Sequence, residues 1–223
     1  VYIIMLKPIK VLLIASIFNF SQAAVAGIVY TNDFEVGSTA NLSGITAIED
    51  SPSGESFLGF FNFNASSTLS LSGLATHTDV TLDFDVYGIR SLDSTTSGDS
   101  FSLGMNGGSK LFTDYYGHTG GQILGPTTGT VVNHDSTALG YGSFHGGAST
   151  YHYIFTFADS ASAIDFNFLF STQSGWADEA FGLDNIVVST NAYASVSEPS
   201  VVTLIAIGFA GLLGFGSLRR KTS

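Results

Sequence analysis

Strict alternation of apolar and polar residues constrains this chain more than any other feature. In Val80-Thr81-Leu82-Asp83-Phe84-Asp85-Val86 every second residue is apolar, so Val80, Leu82, Phe84 and Val86 share one face of an extended strand. Ile164-Asp165-Phe166-Asn167-Phe168 repeats the pattern. Tyr151, Tyr153, Phe155 and Phe157 share a face of another run, as do Phe101, Leu103 and Met105. Residues 55–63 and 67–74 read as two more strands, residues 28–34 open the set and residues 181–189 close it. No long period of 3.6 residues appears between positions 27 and 195. Clusters of Gly, Ser, Thr and Asn separate the runs, and 22 of the 26 glycines lie in this stretch, which favours many tight turns. The pattern predicts an all-β fold, one antiparallel β-sandwich of jelly-roll type. A β-helix of repeats is the alternative, but no fixed period is present. Residues 117–147, rich in Gly, Thr and His, read as long loops or a weak hairpin at one end of the sandwich.

Charge narrows the function. Residues 27–195 hold 17 acids against Arg90 and Lys110; the other five basic residues lie near the chain ends. So few cations cannot displace counterions from phosphates, which excludes a nucleic-acid binder. The same balance argues against docking on an anionic membrane surface. There is no cysteine, so disulfides and thiolate chemistry are excluded.

The two ends have a different character. Lys7 and Lys10 precede the apolar run Val11-Leu12-Leu13-Ile14-Ala15-Ser16-Ile17-Phe18, and Ala24-Val25-Ala26 is a small-x-small cleavage site, with Ser21-Gln22-Ala23 as an earlier alternative. Residues 1–26 therefore read as a secretory signal peptide, a signal helix, with Met5 a candidate start. A membrane anchor is the competing reading, but the run falls short of the ~20 apolar residues a span requires. Residues 201–218 are uncharged and mostly apolar, about 27 Å as a helix. Arg219, Arg220 and Lys221 follow at once. This predicts a C-terminal transmembrane helix with its basic end in the cytoplasm and the body outside.

Just before that span stands Val196-Ser197-Glu198-Pro199-Ser200. A Glu-Pro motif (Glu198, Pro199), one spanning helix and a terminal basic cluster (Arg219, Arg220, Lys221) together resemble the PEP-CTERM sorting signal of Gram-negative bacteria. Ser197 stands where that family usually has Pro. The resemblance covers about 25 residues and assigns 196–223 as a sorting tail on a 27–195 ectodomain. It implies an exosortase-type membrane protease as partner, cutting near Glu198-Pro199. Membrane anchoring through the C-terminal helix would then give way to release to the cell surface or extracellular matrix.

Two acidic segments suggest a cation. Asn32-Asp33-Phe34-Glu35 lies near the first strand and Asp178-Glu179-Ala180-Phe181-Gly182-Leu183-Asp184-Asn185 leads into the last. In a jelly roll these strands lie close, so Glu35, Asp178, Glu179 and Asp184 form an oxygen-rich set of the kind calcium takes. Carbonyls of the loop Ser51-Pro52-Ser53-Gly54-Glu55 are candidates to complete it. Solvated acids in an acidic protein are the competing reading. The two segments are also similar to the first- and last-strand motifs of jelly-roll carbohydrate-binding modules. That resemblance implies a structural calcium bridging the chain ends, with Glu35 and Asp184 its best ligands.

No nucleophile elbow, no HExxH and no jelly-roll glucanase ExDxxE occurs, and the five histidines are scattered. Asp83 and Asp85 are two apart on one strand and read as solvent-facing. The sequence therefore points away from an enzyme. Among the aromatics, Tyr87, Tyr115, Tyr116, Tyr141, Phe144 and Trp176 are candidates for stacking on sugar rings; Tyr115 and Tyr116 form the most suggestive cluster, while Trp176, beside the acidic segment, reads rather as a packing residue. The expected role is a non-catalytic structural or adhesive component of the envelope or polysaccharide matrix. The alternatives are a lectin-like carbohydrate-binding module and a secreted glycan hydrolase.

Overall fold

The computed structural model describes residues 24–92, 98–116, 128–136, 139–142 and 147–193, all within one compact unit, Ala24–Tyr193. The elements are β1 (Ala24–Asn32), β2 (Leu42–Gly44), β3 (Ile48–Asp50), β4 (Ser56–Phe61), β5 (Asn64–Ser72) and β6 (Asp79–Arg90). They continue with β7 (Ser100–Met105), β8 (Lys110–Tyr115), β9 (Thr130–Ser136), β10 (Ala148–Ala158), β11 (Ala163–Ser171) and β12 (Glu179–Tyr193). A seven-stranded sheet has the order β3-β4-β12-β6-β10-β9, with β1 also on β12. A five-stranded sheet has the order β2-β5-β11-β7-β8. Every pairing is antiparallel.

Strand order alone establishes the jelly roll. From β4 onward the chain crosses between sheets from β4 to β5, β5 to β6, β6 to β7, β8 to β9, β10 to β11 and β11 to β12. The last strand, β12, closes between β4 and β6, and β11 closes between β5 and β7. This is the double Greek key of a two-sheet jelly roll. The termini of the unit meet, because Ala24 is the register partner of Tyr193.

The alternating residues fill the space between the sheets. Val80, Leu82, Phe84 and Val86 are completely buried, as are Phe101, Leu103, Phe166 and Phe168. The Phe84 ring lies 5.2 Å from Tyr153, 5.3 Å from Phe168 and 5.7 Å from Phe101, centroid to centroid. Asp114 also points inward and is buried; it accepts hydrogen bonds from the Tyr153 hydroxyl (3.1 Å) and from Thr128.

Some elements differ from the sequence expectation. β9 pairs antiparallel with β10, with two shifts of register, inside the stretch read as long loops or a weak hairpin, and it starts where Gly129 lets the Tyr153 ring approach. A Cβ on Gly129 would meet that ring at 2.6 Å. β8 went unread because inward Asp114 breaks its apolar alternation. β1 begins at Ala24, so the cleavage tripeptide 24–26 is paired with Asn191, Ala192 and Tyr193. Among the described residues no helix is long and apolar enough to cross a membrane. The expected signal helix and transmembrane helix, with Glu198, Pro199, Arg219, Arg220 and Lys221, lie outside the described residues.

Candidate functional site

β12 runs from Glu179 to Tyr193, 15 residues, about 45 Å at 3.3 Å per residue. Its end at Tyr193 marks the pole where the chain enters and leaves. Its start marks the opposite, distal pole, where β6 ends at Arg90, the partner of Glu179.

An aromatic platform sits at the distal pole. Phe57, Tyr87, Ile89, Leu139, Tyr141, Ala148 and Ala180 form a second small core on the outer face of the seven-stranded sheet, with Phe60 packed against it. Gly182 makes room for it: a Cβ there would meet the Phe57 ring at 2.6 Å. The Trp176 ring stacks on Phe60 at 5.8 Å and 15°, yet 55% of the residue remains exposed. The Arg90 guanidinium lies 5.5 Å from the Trp176 ring and 6.0 Å from the Tyr141 ring, a cation–π arrangement with both. Arg90 also donates to the carbonyls of Trp176 and Ala177. Its backbone is left-handed (φ +67°), an uncommon conformation for arginine.

The loop carrying Trp176 is held at both ends. Buried Glu179 accepts from the backbone N–H of Gln173 (3.0 Å) and Ser174 (2.7 Å). The Ser91 hydroxyl donates to the Asp178 carboxylate (2.8 Å), and Gln173 N–H also donates to Asp99. These bonds fix the orientation of an exposed indole, which lowers the ordering cost of any ligand that stacks on it.

The four proposed calcium ligands do not form one set. Asp178 and Glu179 serve the Trp176 loop. Asp184 lies five residues along an extended strand from Glu179, about 17 Å away, whereas calcium binds its ligands at 2.3–2.6 Å. Glu35 and Asp184 come to a common place, the loop at 51–56. Glu35 accepts from Ser56 N–H (2.9 Å), and the charge of Glu55 acts on Asp184. Among the described residues no three His, Asp or Glu side chains gather as a metal cluster. Glu35 and Asp184, with Glu55 and the loop carbonyls, have the hard oxygen chemistry calcium takes; the Asp178–Glu179 half of the set does not fit the same ion.

Asp184 is fully buried. It accepts from the Tyr87 hydroxyl (2.7 Å) and from Asn185 N–H (2.7 Å). Burial is the main cause that raises its pKa, to about 7, with the charges of Glu55 and Asp85 adding to it against those two hydrogen bonds. Burial likewise pushes the Tyr87 hydroxyl far up, so it stays a donor.

The aromatic candidates exchange roles. Tyr116 is completely buried, in edge contact with Tyr151 and Phe181 and hydrogen-bonded to the Tyr153 hydroxyl, so it offers no face to a sugar. Sequence periodicity ends at β8, which hid its inward turn. Tyr115 is 37% exposed, on β8. Trp176, read as a packing residue, is the more exposed ring. Loop aromatics carry no period, so only their position beside Arg90 in space sets Trp176 and Tyr141 apart from the other aromatic candidates. Asp83 and Asp85 face outward, as expected, but they flank His152: Asp85 bonds its Nδ1 at 2.8 Å and Asp83 approaches Nε2 at 3.6 Å. Asn185 donates to the second oxygen of Asp85 (3.0 Å). His77 is buried against Ala75 and Asp159, and the side chains of His118, His134 and His145 lie outside the described residues.

No protein-family model matches the chain, and no curated protein matches it. Solved structures do. The K3 adhesin domain of Lys-gingipain from Porphyromonas gingivalis is 15% identical, over 74% of this chain and 100% of that one, with a TM-score of 0.40. A family 35 carbohydrate-binding module from an environmental isolate is 14% identical, over 73% of this chain and 98% of that one, with a TM-score of 0.38. A family GH115 4-O-methyl-α-glucuronidase with specificity for decorated arabinogalactans is 11% identical over 76% of this chain, which spans 18% of the enzyme's length, with a TM-score of 0.38. At TM-scores this low the likenesses carry no ligand or activity to this chain; its jelly roll rests on its own strand order.

Proposed function

We propose that this protein is an exported, non-catalytic glycan-binding module, tethered by its termini and binding at the distal pole. The observation that supports this best is Trp176: an indole more than half exposed, backed by Phe60 and Arg90, at the pole opposite the paired chain ends. An aromatic ring with one apolar face open stacks on the C–H faces of sugars, and the fixed loop beneath it keeps that face presented. Export through the N-terminal segment and PEP-CTERM-like processing of 196–223 by an exosortase-type protease complete the reading. Cleavage after Ala23 leaves β1 whole, whereas cleavage after Ala26 removes three paired residues. Calcium, where bound beside Asp184, would neutralise the buried carboxylate.

The test is affinity electrophoresis of the full chain in mild detergent through gels containing neutral galactan, glucan or xylan. At least one gel is expected to retard the protein. Trp176→Ala is expected to weaken that binding about tenfold, the order of one aromatic contact of ~1.4 kcal/mol. Trp176→Ala running like the wild type in a retarding gel rejects the pole as the site. Retardation in none of the gels favours a structural role without glycan binding.

A further inference from the structure

Three Phe, Tyr or Trp side chains stand exposed among the described residues: Trp176 (55%), Phe63 (53%) and Tyr115 (37%). Phe63 lies in the two-residue turn Asn62-Phe63 between β4 and β5. That turn is at the distal pole, because β4 ends where Phe61 pairs with Phe181 and β5 starts where Asn64 pairs with Ser171. Phe63 and Trp176 therefore share one end of the sandwich.

A single exposed phenylalanine on a turn needs no function. Two features set this one apart. Its backbone is left-handed (φ +53°), a conformation that costs least in Gly or Asn, so the shape of the turn does not call for this ring. The ring is also held against the loop that carries Trp176. Phe63 N–H donates to the Thr172 hydroxyl oxygen (2.8 Å), and Thr172 N–H donates to the Phe63 carbonyl (2.8 Å). The buried Thr172 hydroxyl in turn donates to the Ser174 carbonyl (2.6 Å). The Phe63 ring reaches Gly175, where its Cζ lies 3.7 Å from the place a Cβ would take, an ordinary contact distance. Gly175 is the chain neighbour of Trp176, and its carbonyl accepts from the N–H groups of Asp178 and Glu179 (2.9 Å each). One buried threonine and one bonded glycine thus fix two exposed rings relative to each other.

We infer that Phe63 is a second stacking subsite of the pole, and that the pole takes a run of at least two sugars of an uncharged glycan chain, one sugar on each ring. This rests on the pole being a glycan site. The indole stacks on Phe60 and leaves the Phe63 ring uncovered, so the two rings offer separate apolar faces to the C–H faces of sugars. Gln173, exposed, and Ser174, half-buried, bring an amide and a hydroxyl from the same loop for sugar hydroxyls. Rings already fixed relative to each other lose little freedom when a chain settles across both. A polyanion is disfavoured. Residues 27–195 hold 17 acids against two cations, and Arg90, the cation at the pole, is held by two carbonyls and two rings.

Trp176 is the only tryptophan of the chain, so its fluorescence reports a ligand at the pole. The full chain in mild detergent is titrated with galactose and galactohexaose, glucose and cellohexaose, and xylose and xylohexaose. In the pair whose polysaccharide retards the protein most, the hexasaccharide is expected to bind about tenfold tighter than the monosaccharide, the order of one further aromatic contact. Phe63→Ala is expected to remove that advantage while leaving the monosaccharide affinity within about twofold, and Phe63→Tyr to keep both. The bonds that hold the turn use the backbone of Phe63, so these variants keep it. Equal affinity for the two sugars of the pair overturns the inference, as does an advantage that survives in Phe63→Ala. An equal loss for both sugars in Phe63→Ala overturns it too, because it places one sugar between the two rings. All three results leave the pole as a glycan site. Gel retardation with no change in Trp176 fluorescence from any of these sugars places the glycan elsewhere, and the pole reading then fails together with its second subsite.

Discussion

Raising the pH from 4 to 7 is expected to remove about 3 kcal/mol of folding stability through Asp184, and Asp184→Asn is expected to abolish that loss. In the unfolded chain this carboxyl ionises near 3.8, and in the folded protein near 7. Between those values the folded state holds a proton that the unfolded state has lost, so each unit of rising pH weakens folding. Below 3.8 both states are protonated and above 7 both are ionised, so the slope vanishes at either side. The cause is the absence of water around a fully buried carboxylate, with the charges of Glu55 and Asp85 beside it. Asparagine keeps an acceptor for the Tyr87 hydroxyl while removing the charge. The measurement is urea unfolding of the wild type and the variant from pH 4 to 8, the difference between the curves isolating this group.

The same experiment decides whether a cation belongs there. Calcium held by Asp184 would stabilise the carboxylate and remove the pH-dependent loss in the wild type but not in Asp184→Asn. At 100 times its dissociation constant it adds about 2.7 kcal/mol, if it binds only the folded state. A wild-type curve unchanged by calcium and by chelator removes calcium from the account. Asp184 is then a carboxyl that is neutral below pH 7 and hydrogen-bonded to Tyr87.

Phe84→Ala is expected to cost about 3–5 kcal/mol and to lower the midpoint of thermal unfolding by about 6–20 °C. Phe84 is fully buried at the centre of the aromatic core, within 6 Å of the rings of Phe101, Tyr153 and Phe168. Those rings come from β7, β10 and β11, so the space left by Phe84 is walled by both sheets and cannot collapse through one side-chain rotation. Ile154→Ala is the control. Ile154 is 59% exposed and stands opposite Asp83 on the outer face, so its loss is expected to cost less than ~0.5 kcal/mol. Equal effects from the two variants would show that the core is not organised around Phe84.

Proposed binding and proposed tethering occupy opposite poles because the last strand spans the whole length of the sandwich. Ala24 beside Tyr193 puts both ends of the described unit at one pole, and the Glu179–Arg90 pairing puts Trp176 at the other. A protein held by its ends presents the distal loops to whatever lies beyond the surface that holds it.

Alternation along β6, β7, β10 and β11 was legible from residues alone, because a side chain's face in a strand depends only on whether its position is odd or even. The inward set from Val80 to Val86 needed no partner to be named. Strand β8 and the burial of Tyr116 were not legible, because an inward Asp114 is tolerable only with Tyr153 and Thr128 supplied from other parts of the chain. The calcium set illustrates the same limit. Asp178, Glu179 and Asp184 are close in sequence, but an extended backbone carries Asp184 about 17 Å from Glu179, while Glu35 reaches its neighbourhood through Ser56. Composition and period are local properties, and they determined the strands, their faces and the sandwich. Which loops meet at a pole, which rings stand exposed there and which carboxylate loses its water depend on pairings between residues tens of positions apart, and only the tertiary structure decided those.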